Sequence, residues 1–293
     1  MRWIVVVAIL LGASLPSASA QVKNFAPVTD AMLLNPSPND WLLPSRTYDF
    51  QRYSPLNQIG KQNVAQLRMA WVRGMSPGVH ENIPVVYQGV MYVANPGSVI
   101  EALDATTGDL LWEYRRKLPD DLRSYIGNSG RIRTIGIYDD MVYFAAPDGY
   151  IVALDAKTGG LRWETQAHDY KIRAQHTTGP IVVGGKVISG RSCPVAATKR
   201  AGCFIVAHDA KTGKELWKFY TTAAAGEPGG DTWGTVPTEE RMASPWGIPG
   251  GYDPVRKLLF WGVANPRRRE RHRRRAAAFR VRAVDPCGHA KPF

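Results

Sequence analysis

A strand, a tight turn and a strand ending in tryptophan occur three times in this chain, in one register. The copies run Ala102-Leu103-Asp104-Ala105-Thr106-Thr107-Gly108 through Trp112, Ala153-Leu154-Asp155-Ala156-Lys157-Thr158-Gly159 through Trp163, and Ala207-His208-Asp209-Ala210-Lys211-Thr212-Gly213 through Trp217. In each copy Thr lies three residues after Asp, Gly four and Trp eight, and successive Asp residues are 51 and 54 apart. One such hairpin says little, whereas three at a nearly fixed period are an internal repeat. An Asp can accept bonds from the amides of a turn, and Gly supplies the positive φ that closes it. The apolar runs before each Asp are strand-like. Each Trp is expected to bury its ring against the next copy.

Each repeat carries four strand signals. The first unit has Ile83–Tyr87, Val90–Ala94, Val99–Leu103 and Leu110–Tyr114. The second has Thr134–Tyr138, Met141–Ala145, Ile151–Leu154 and Leu161–Thr165. The third has Ile181–Val183, Lys186–Ile188, Phe204–Ala207 and Glu215–Tyr220. Four short strands per unit predict an all-β chain of β-propeller blades, each sheet covering the face of its neighbour. Upstream, the Leu-x-x-Ala-Trp of Leu67 to Trp71 resembles the last strand of a further repeat, and residues 21–40 form a lead-in without periodicity.

Arg2, the apolar run Ile4 to Leu11 and Ala18-Ser19-Ala20 predict a secretory signal peptide cleaved after Ala20, hence a periplasmic protein without an integral membrane segment. Cys193 and Cys203 flank a loop; an oxidising compartment favours a disulfide over two free buried thiols. The formal charge of +12 is concentrated in residues 267–293, where nine Arg and one Lys face Glu270 and Asp285 and contribute +8. Such a run would ordinarily suggest nucleic-acid binding. That function is excluded here, because the run makes little sense on an exported propeller.

A fourth unit begins at Gly251-Tyr252-Asp253-Pro254 and reaches Val263-Ala264-Asn265-Pro266, repeating Val93-Ala94-Asn95-Pro96 of the first. There the hairpin should follow, and the Arg run appears instead. The organisation expected is a signal peptide over residues 1–20, a partial propeller over 21–266 and an aberrant tail over 267–293. The tail is read as a shifted reading frame or disordered segment without β pattern.

Asp40-Trp41, Gln51-Arg52-Tyr53-Ser54-Pro55-Leu56-Asn57-Gln58-Ile59, the three hairpins and Gly230-Asp231-Thr232-Trp233-Gly234 together resemble the pyrroloquinoline quinone (PQQ)-dependent alcohol dehydrogenases, over roughly residues 39–266. The resemblance implies an eight-bladed propeller, of which this chain would supply about half, with PQQ at the axis clamped by Ca²⁺. It implies that Glu81 hydrogen-bonds the quinone and that Arg133 binds a cofactor carboxylate, a task suited to a guanidinium fork. Thr177 and Ser192 match further cofactor-binding positions. Trp246 matches the floor beneath the ring, where an indole face suits a flat heterocycle; its residue type alone also fits an inter-blade packing role. Asn265 matches a Ca²⁺ ligand, an amide oxygen suiting a hard cation.

The chain also departs from that pattern. Where the family often has adjacent cysteines, this sequence reads Arg123-Ser124-Tyr125-Ile126-Gly127-Asn128. The stretch Cys193 to Cys203 lacks the carboxylate expected as a calcium ligand. The aspartate that serves the family as general base falls beyond Pro266, so no catalytic residue is assigned. The expectation is a periplasmic quinoprotein dehydrogenase, catalytically incomplete as written, that oxidises an alcohol or sugar and passes electrons to a cytochrome c or quinone acceptor. The alternative is a non-enzymatic propeller of the same repeat, a binding or envelope-assembly scaffold.

Overall fold

The structure, a computed structural model, describes residues 22, 24–127, 130–176, 178–194, 202–268 and the backbone of 282–284. The signal peptide, Thr177 and most of the Arg-rich tail lie outside the described residues.

Three sheets carry the three repeats, each an antiparallel four-stranded meander. The first comprises β1 (Val85–Tyr87), β2 (Val90–Asn95), β3 (Val99–Asp104) and β4 (Leu110–Arg115). The second comprises β5 (Gly136–Tyr138), β6 (Met141–Ala145), β7 (Tyr150–Asp155) and β8 (Leu161–Gln166). The third comprises β9 (Thr178–Val183), β10 (Lys186–Arg191), β11 (Phe204–Asp209) and β12 (Glu215–Tyr220). The second and third strands of each sheet are almost wholly buried, as expected where both faces are covered by neighbouring sheets.

The repeated turn behaves as its residues predict. One Asp155 carboxylate oxygen accepts from the amides of Lys157 and Thr158, both at 2.9 Å, and from the Thr158 hydroxyl at 3.0 Å. Asp209 does the same with Lys211 and Thr212. In the first copy the hydroxyl of Thr106 donates to Asp104, while Thr107 turns to Asp109. These bonds favour the ionised carboxylate, so Asp104 and Asp209 titrate below the ordinary range, the threonine hydrogen bonds being the largest cause. The ladder carries a bulge just before each Asp, between Ala102 and Leu103, Ala153 and Leu154, and Ala207 and His208.

The tryptophans pack forward along the chain. Trp71, Trp112 and Trp163 donate their indole N–H to the carbonyls of Ala105, Ala156 and Ala210, at 3.1, 3.0 and 2.9 Å. Each ring also lies on the turn glycine of the next copy: a Cβ on Gly108, Gly159 or Gly213 would come within 2.6, 2.5 and 2.5 Å of it. Glycine is required there twice over, since its φ is also near +75° (77°, 73° and 73°). Tyr92 and Tyr143, on the second strands, add a second donor to the Ala156 and Ala210 carbonyls.

The fourth unit contains β13 (Arg241–Met242), β14 (Gly251–Asp253), β15 (Leu258–Trp261), β16 (Arg267–Arg268) and β17 (Arg282–Val284). β14, β15 and β17 form one sheet, and β13 pairs with β16. The expectation that β structure ends at Pro266 is therefore corrected. The backbones of 267–268 and 282–284 find free ladder edges on β13 and β15, because pairing requires only backbone donors and acceptors. A second correction concerns Leu67 to Trp71, which forms no strand. Its residues enter no ladder among the described residues; Leu67 N closes the preceding turn on Val64 O, and Trp71 is held by its indole bond to Ala105.

The lead-in segment crosses the far ends of the four first strands. Val28 bridges Asp139, Trp41 bridges Val86, the Tyr48 hydroxyl donates to the Val182 carbonyl at 2.5 Å, and Tyr252 N donates to Tyr48 O. The opposite ends of these strands are left for the site.

Candidate functional site

In each unit, the start of the first strand and the end of the second lie at the same end of the sheet, as an antiparallel meander requires. Glu81 precedes β1, Arg133 precedes β5, Thr178 begins β9 and Trp246 precedes β14; Ser192 and Asn265 follow β10 and β15. Six positions scattered along the sequence thus share one end of the fold.

Specific bonds join these starts. Ile83 and Thr134 form a parallel bridge, with Ile83 N donating to Arg133 O at 2.9 Å. This explains why the first strands begin at Val85 and Gly136 and not at Ile83 and Thr134: the earlier residues pair with each other across the two sheets. The same contact sets Glu81 against Arg133, whose Nε lies 2.7 Å from one carboxylate oxygen. Arg131 Nη1 lies 3.2 Å from the other. Thr178 Oγ1 donates to the Trp246 carbonyl at 2.5 Å, joining the third and fourth units.

Arg133 reaches further. A Cβ on Gly247 would lie 3.0 Å from its Nε, Cζ and Nη1, so the guanidinium rests against the backbone beside Trp246. Glu81, Arg131, Arg133 and Gly247 therefore form one cluster contributed by three units. Trp246 itself is 66% exposed, which excludes an inter-sheet packing role for its ring. Its backbone is held by a bond to Gly262 O at 3.0 Å and by the Pro245–Val263 bridge.

Ser192 is occupied locally: its hydroxyl accepts from Gln175 N and its amide donates to Gln175 O, both at 2.9 Å. Asn265 is exposed, one residue after Ala264, whose amide donates to Ser244 O at 2.7 Å. Cys193 and Cys203 are disulfide-bonded. No group of three or more His, Cys, Asp or Glu suited to a metal occurs among the described residues. Nor is any helix among them long and apolar enough to cross a membrane.

Arg131, Thr178, Ser244 and Gly247 escaped the sequence reading. Arg131 was within reach of it, since alternation in the extended stretch Arg131-Ile132-Arg133 puts both cations on one side. Gly247 was not, because its role depends on Arg133 arriving from another sheet. A cavity of about 240 Å³ lies beside the cluster, against the first sheet, and His80 and Asn82 of its lining flank Glu81. Trp71, Met75, Met91 and Leu103 make it mainly apolar, and it continues the seat of Trp71 more than it extends the charged cluster.

The family described as PQQ, glucose/ethanol/alcohol dehydrogenase, beta-propeller domain, matches residues 41–277. The chain belongs to this PQQ dehydrogenase propeller family. Among similar proteins, the quinohemoprotein alcohol dehydrogenase ADH-IIG of Pseudomonas putida is 35% identical over 278 residues, covering 88% of this chain and 38% of that protein. The dehydrogenase subunit of the alcohol dehydrogenase (quinone) of Gluconobacter oxydans is 33% identical, covering 88% of this chain and 36% of that protein. The PQQ-family fold is matched by a solved structure of ADHIIG from P. putida HK5, with TM-score 0.73, 31% identity and coverage of 92% of this chain and 42% of that one. A europium-containing methanol dehydrogenase gives TM-score 0.74 and 26% identity, with coverage of 89% and 50%. The four units are thus successive blades of a PQQ-type propeller, and the chain spans well under half the length of these two curated relatives.

Proposed function

We propose that this chain is the PQQ-binding portion of an exported, periplasmic quinoprotein dehydrogenase acting on an alcohol or sugar. The observation that carries the reading is the Glu81–Arg133 pair set against Gly247 beside the exposed face of Trp246. The donor set fits PQQ, a flat heterocycle bearing several carboxylates and a quinone. Arg131 and Arg133 offer guanidinium donors to carboxylates, Trp246 offers a stacking face, and Gly247 leaves no side chain between them.

When bound, PQQ supplies a two-electron acceptor. In this reading Arg133 orients one carboxylate of the cofactor, Trp246 limits its tilt and keeps water from one face, and Glu81 holds the Arg133 fork in place. Ser192 and Thr177 belong to the cofactor side of the same proposal. None of the described residues is assigned as the base that would take the hydroxyl proton.

Calcium fits less well. Ca²⁺ takes about six to eight oxygen ligands, and the described residues offer Asn265 without a cluster of carboxylates around it. No step is routed through a metal. The electron acceptor, a cytochrome c or a quinone, follows from relatives named for one or the other: methanol dehydrogenase [cytochrome c] subunit 1 of Methylobacterium organophilum and the alcohol dehydrogenases (quinone).

Titration of the purified chain with PQQ, followed by tryptophan fluorescence, tests the proposal. Saturable quenching that is lost in Trp246→Ala is the expected result. Absence of quenching at every cofactor concentration would overturn it.

A further inference from the structure

The Cys193–Cys203 disulfide, spanning a sequence separation of 10, sits at the site end of the third sheet. Cys193 follows Ser192, Cys203 precedes β11, and the β10–β11 ladder ends between them at Arg191 and Phe204. Both cysteines are buried, at 6% and 0% exposure.

The bond is also tied to the fourth unit. Cys193 N donates to Ser244 Oγ at 3.1 Å, and that hydroxyl donates back to Cys193 Sγ at 3.2 Å. Ser244 O accepts from Ala264 N, and two residues on, Trp246 N donates to Gly262 O. Cys203 O accepts from Thr221 N at 3.0 Å, and the Thr221 hydroxyl donates to Ala243 O. The disulfide and these hydrogen bonds therefore tie the segment bearing Ser192 to the segment bearing Trp246 and Asn265.

We propose that Cys193, Cys203 and Ser244 are positioning residues for the axial site, and that the disulfide makes the placement of Trp246 redox-dependent. The ligand involved, PQQ, rests on the function proposed above; the positioning does not. The physical basis is that the bond fixes where β10 ends, and hence where the Cys193 amide meets Ser244. A dithiol reductant converts the bond to two thiols, each sulfur taking one electron and one proton, while the dithiol becomes its own disulfide. The Cys193 amide and Ser244 hydroxyl then lose their enforced register, and the segment Ser244 to Trp246 is left on its two bonds to residues 262–264 and the Thr178 hydroxyl on the Trp246 carbonyl.

Hydrogen exchange on the full chain without ligand, before and after dithiothreitol, reads this directly. After reduction, the amides of Trp246 and Ala264 exchange about tenfold faster while those of Val142 and Tyr143 in β6 are unchanged. Unchanged exchange at Trp246 and Ala264 after both thiols are verified by mass would overturn the proposal, as would a uniform acceleration that includes β6. Ser244→Ala in the oxidised protein reproduces the acceleration, and Ser244→Thr, which keeps the hydroxyl, restores slow exchange; slow exchange in Ser244→Ala would equally count against it. With PQQ, the oxidised protein binds about tenfold more tightly than the reduced one, and equal affinities would remove the positioning role. If the oxidised protein does not bind PQQ at all, the proposed function falls, and the exchange measurement still decides this one.

Discussion

The indole nitrogen of Trp112 donates to the carbonyl of Ala156 at 3.0 Å, from the last strand of one blade to the turn of the next. The same relationship links Trp163 to Ala210, and Trp71, which lies in no strand, makes the same bond to Ala105. It converts a local hairpin into an inter-blade joint, so stability of the arc depends on side chains that each repeat lends to its successor.

Truncating the buried joint is expected to be costly. Trp112→Ala removes a fully buried indole and leaves a cavity, at about 3–5 kcal/mol. It also leaves the Ala156 carbonyl with Tyr92 as its remaining side-chain donor. Trp112→Phe keeps most of the apolar contact and falls between. Urea unfolding midpoints check the order; a loss below about 1 kcal/mol for the alanine variant would contradict the joint.

Gly159→Ala tests the joint from the other side. The Cβ would lie 2.5 Å from Trp112 Cε3, at a backbone φ of 73°. Both the strained φ and the displaced indole oppose the methyl, so the loss exceeds the roughly 1 kcal/mol expected of an ordinary left-handed glycine. Gly89→Ala is the control, since its φ is 77° with nothing within 4 Å of the added carbon.

The charged cluster predicts a separation of charge from geometry. Arg133→Lys keeps the cation but loses the planar fork held between Glu81 and Gly247. PQQ affinity is expected to fall about tenfold in Arg133→Lys and further in Arg133→Ala, as for loss of a charge-assisted bond. Equal affinity of the lysine variant and the parent, by fluorescence titration, would argue for simple charge attraction.

Acid lability follows from three histidines in the second and third blades. Burial lowers the His168 pKa to about 3, His208 to about 4 and His176 well below its ordinary value. Arg191 and Lys218 add to the depression of His168 and His176, Lys218 alone adds to that of His208, and Glu215 opposes it at His208. The rings of His168 and His176 are 5.5 Å apart, with His176 Nε2 2.9 Å from Ser189 Oγ. Because the folded pKa lies below the unfolded value of about 6.5, the unfolded chain binds more protons between the two. Stability is complete above pH 6.5 and falls as pH drops toward 4, while most carboxylates remain ionised down to about pH 5. Urea midpoints at pH 7, 6 and 5 should decline steadily; a flat profile would contradict the neutral cluster.

Much of the architecture was legible because the repeat is local. Asp155, Thr158 and Gly159 act within one turn, and the continuous burial of β6 and β7 follows from their apolar runs. The strand limits at Val85 and Gly136 were not legible, since Ile83 and Thr134 pair across sheets in a way that neither repeat encodes alone. The short pairings of 267–268 and 282–284 were illegible for a related reason: ladder bonds to β13 and β15 use the backbone, which carries no signature in residue type.

The sequence by itself determined the repeat, the turn chemistry and the forward-docking tryptophans, because each depends on residue type and short spacing, whereas Glu81, Arg133 and Trp246 became candidates through the family resemblance. Only the tertiary structure decided that Arg133 lies between Glu81 and Gly247, that the Trp246 ring faces outward and that the disulfide meets Ser244. Those facts depend on how separate blades are rotated against one another. That rotation is set by packing between sheets, through contacts such as Trp112 on Gly159, which no single stretch of chain contains.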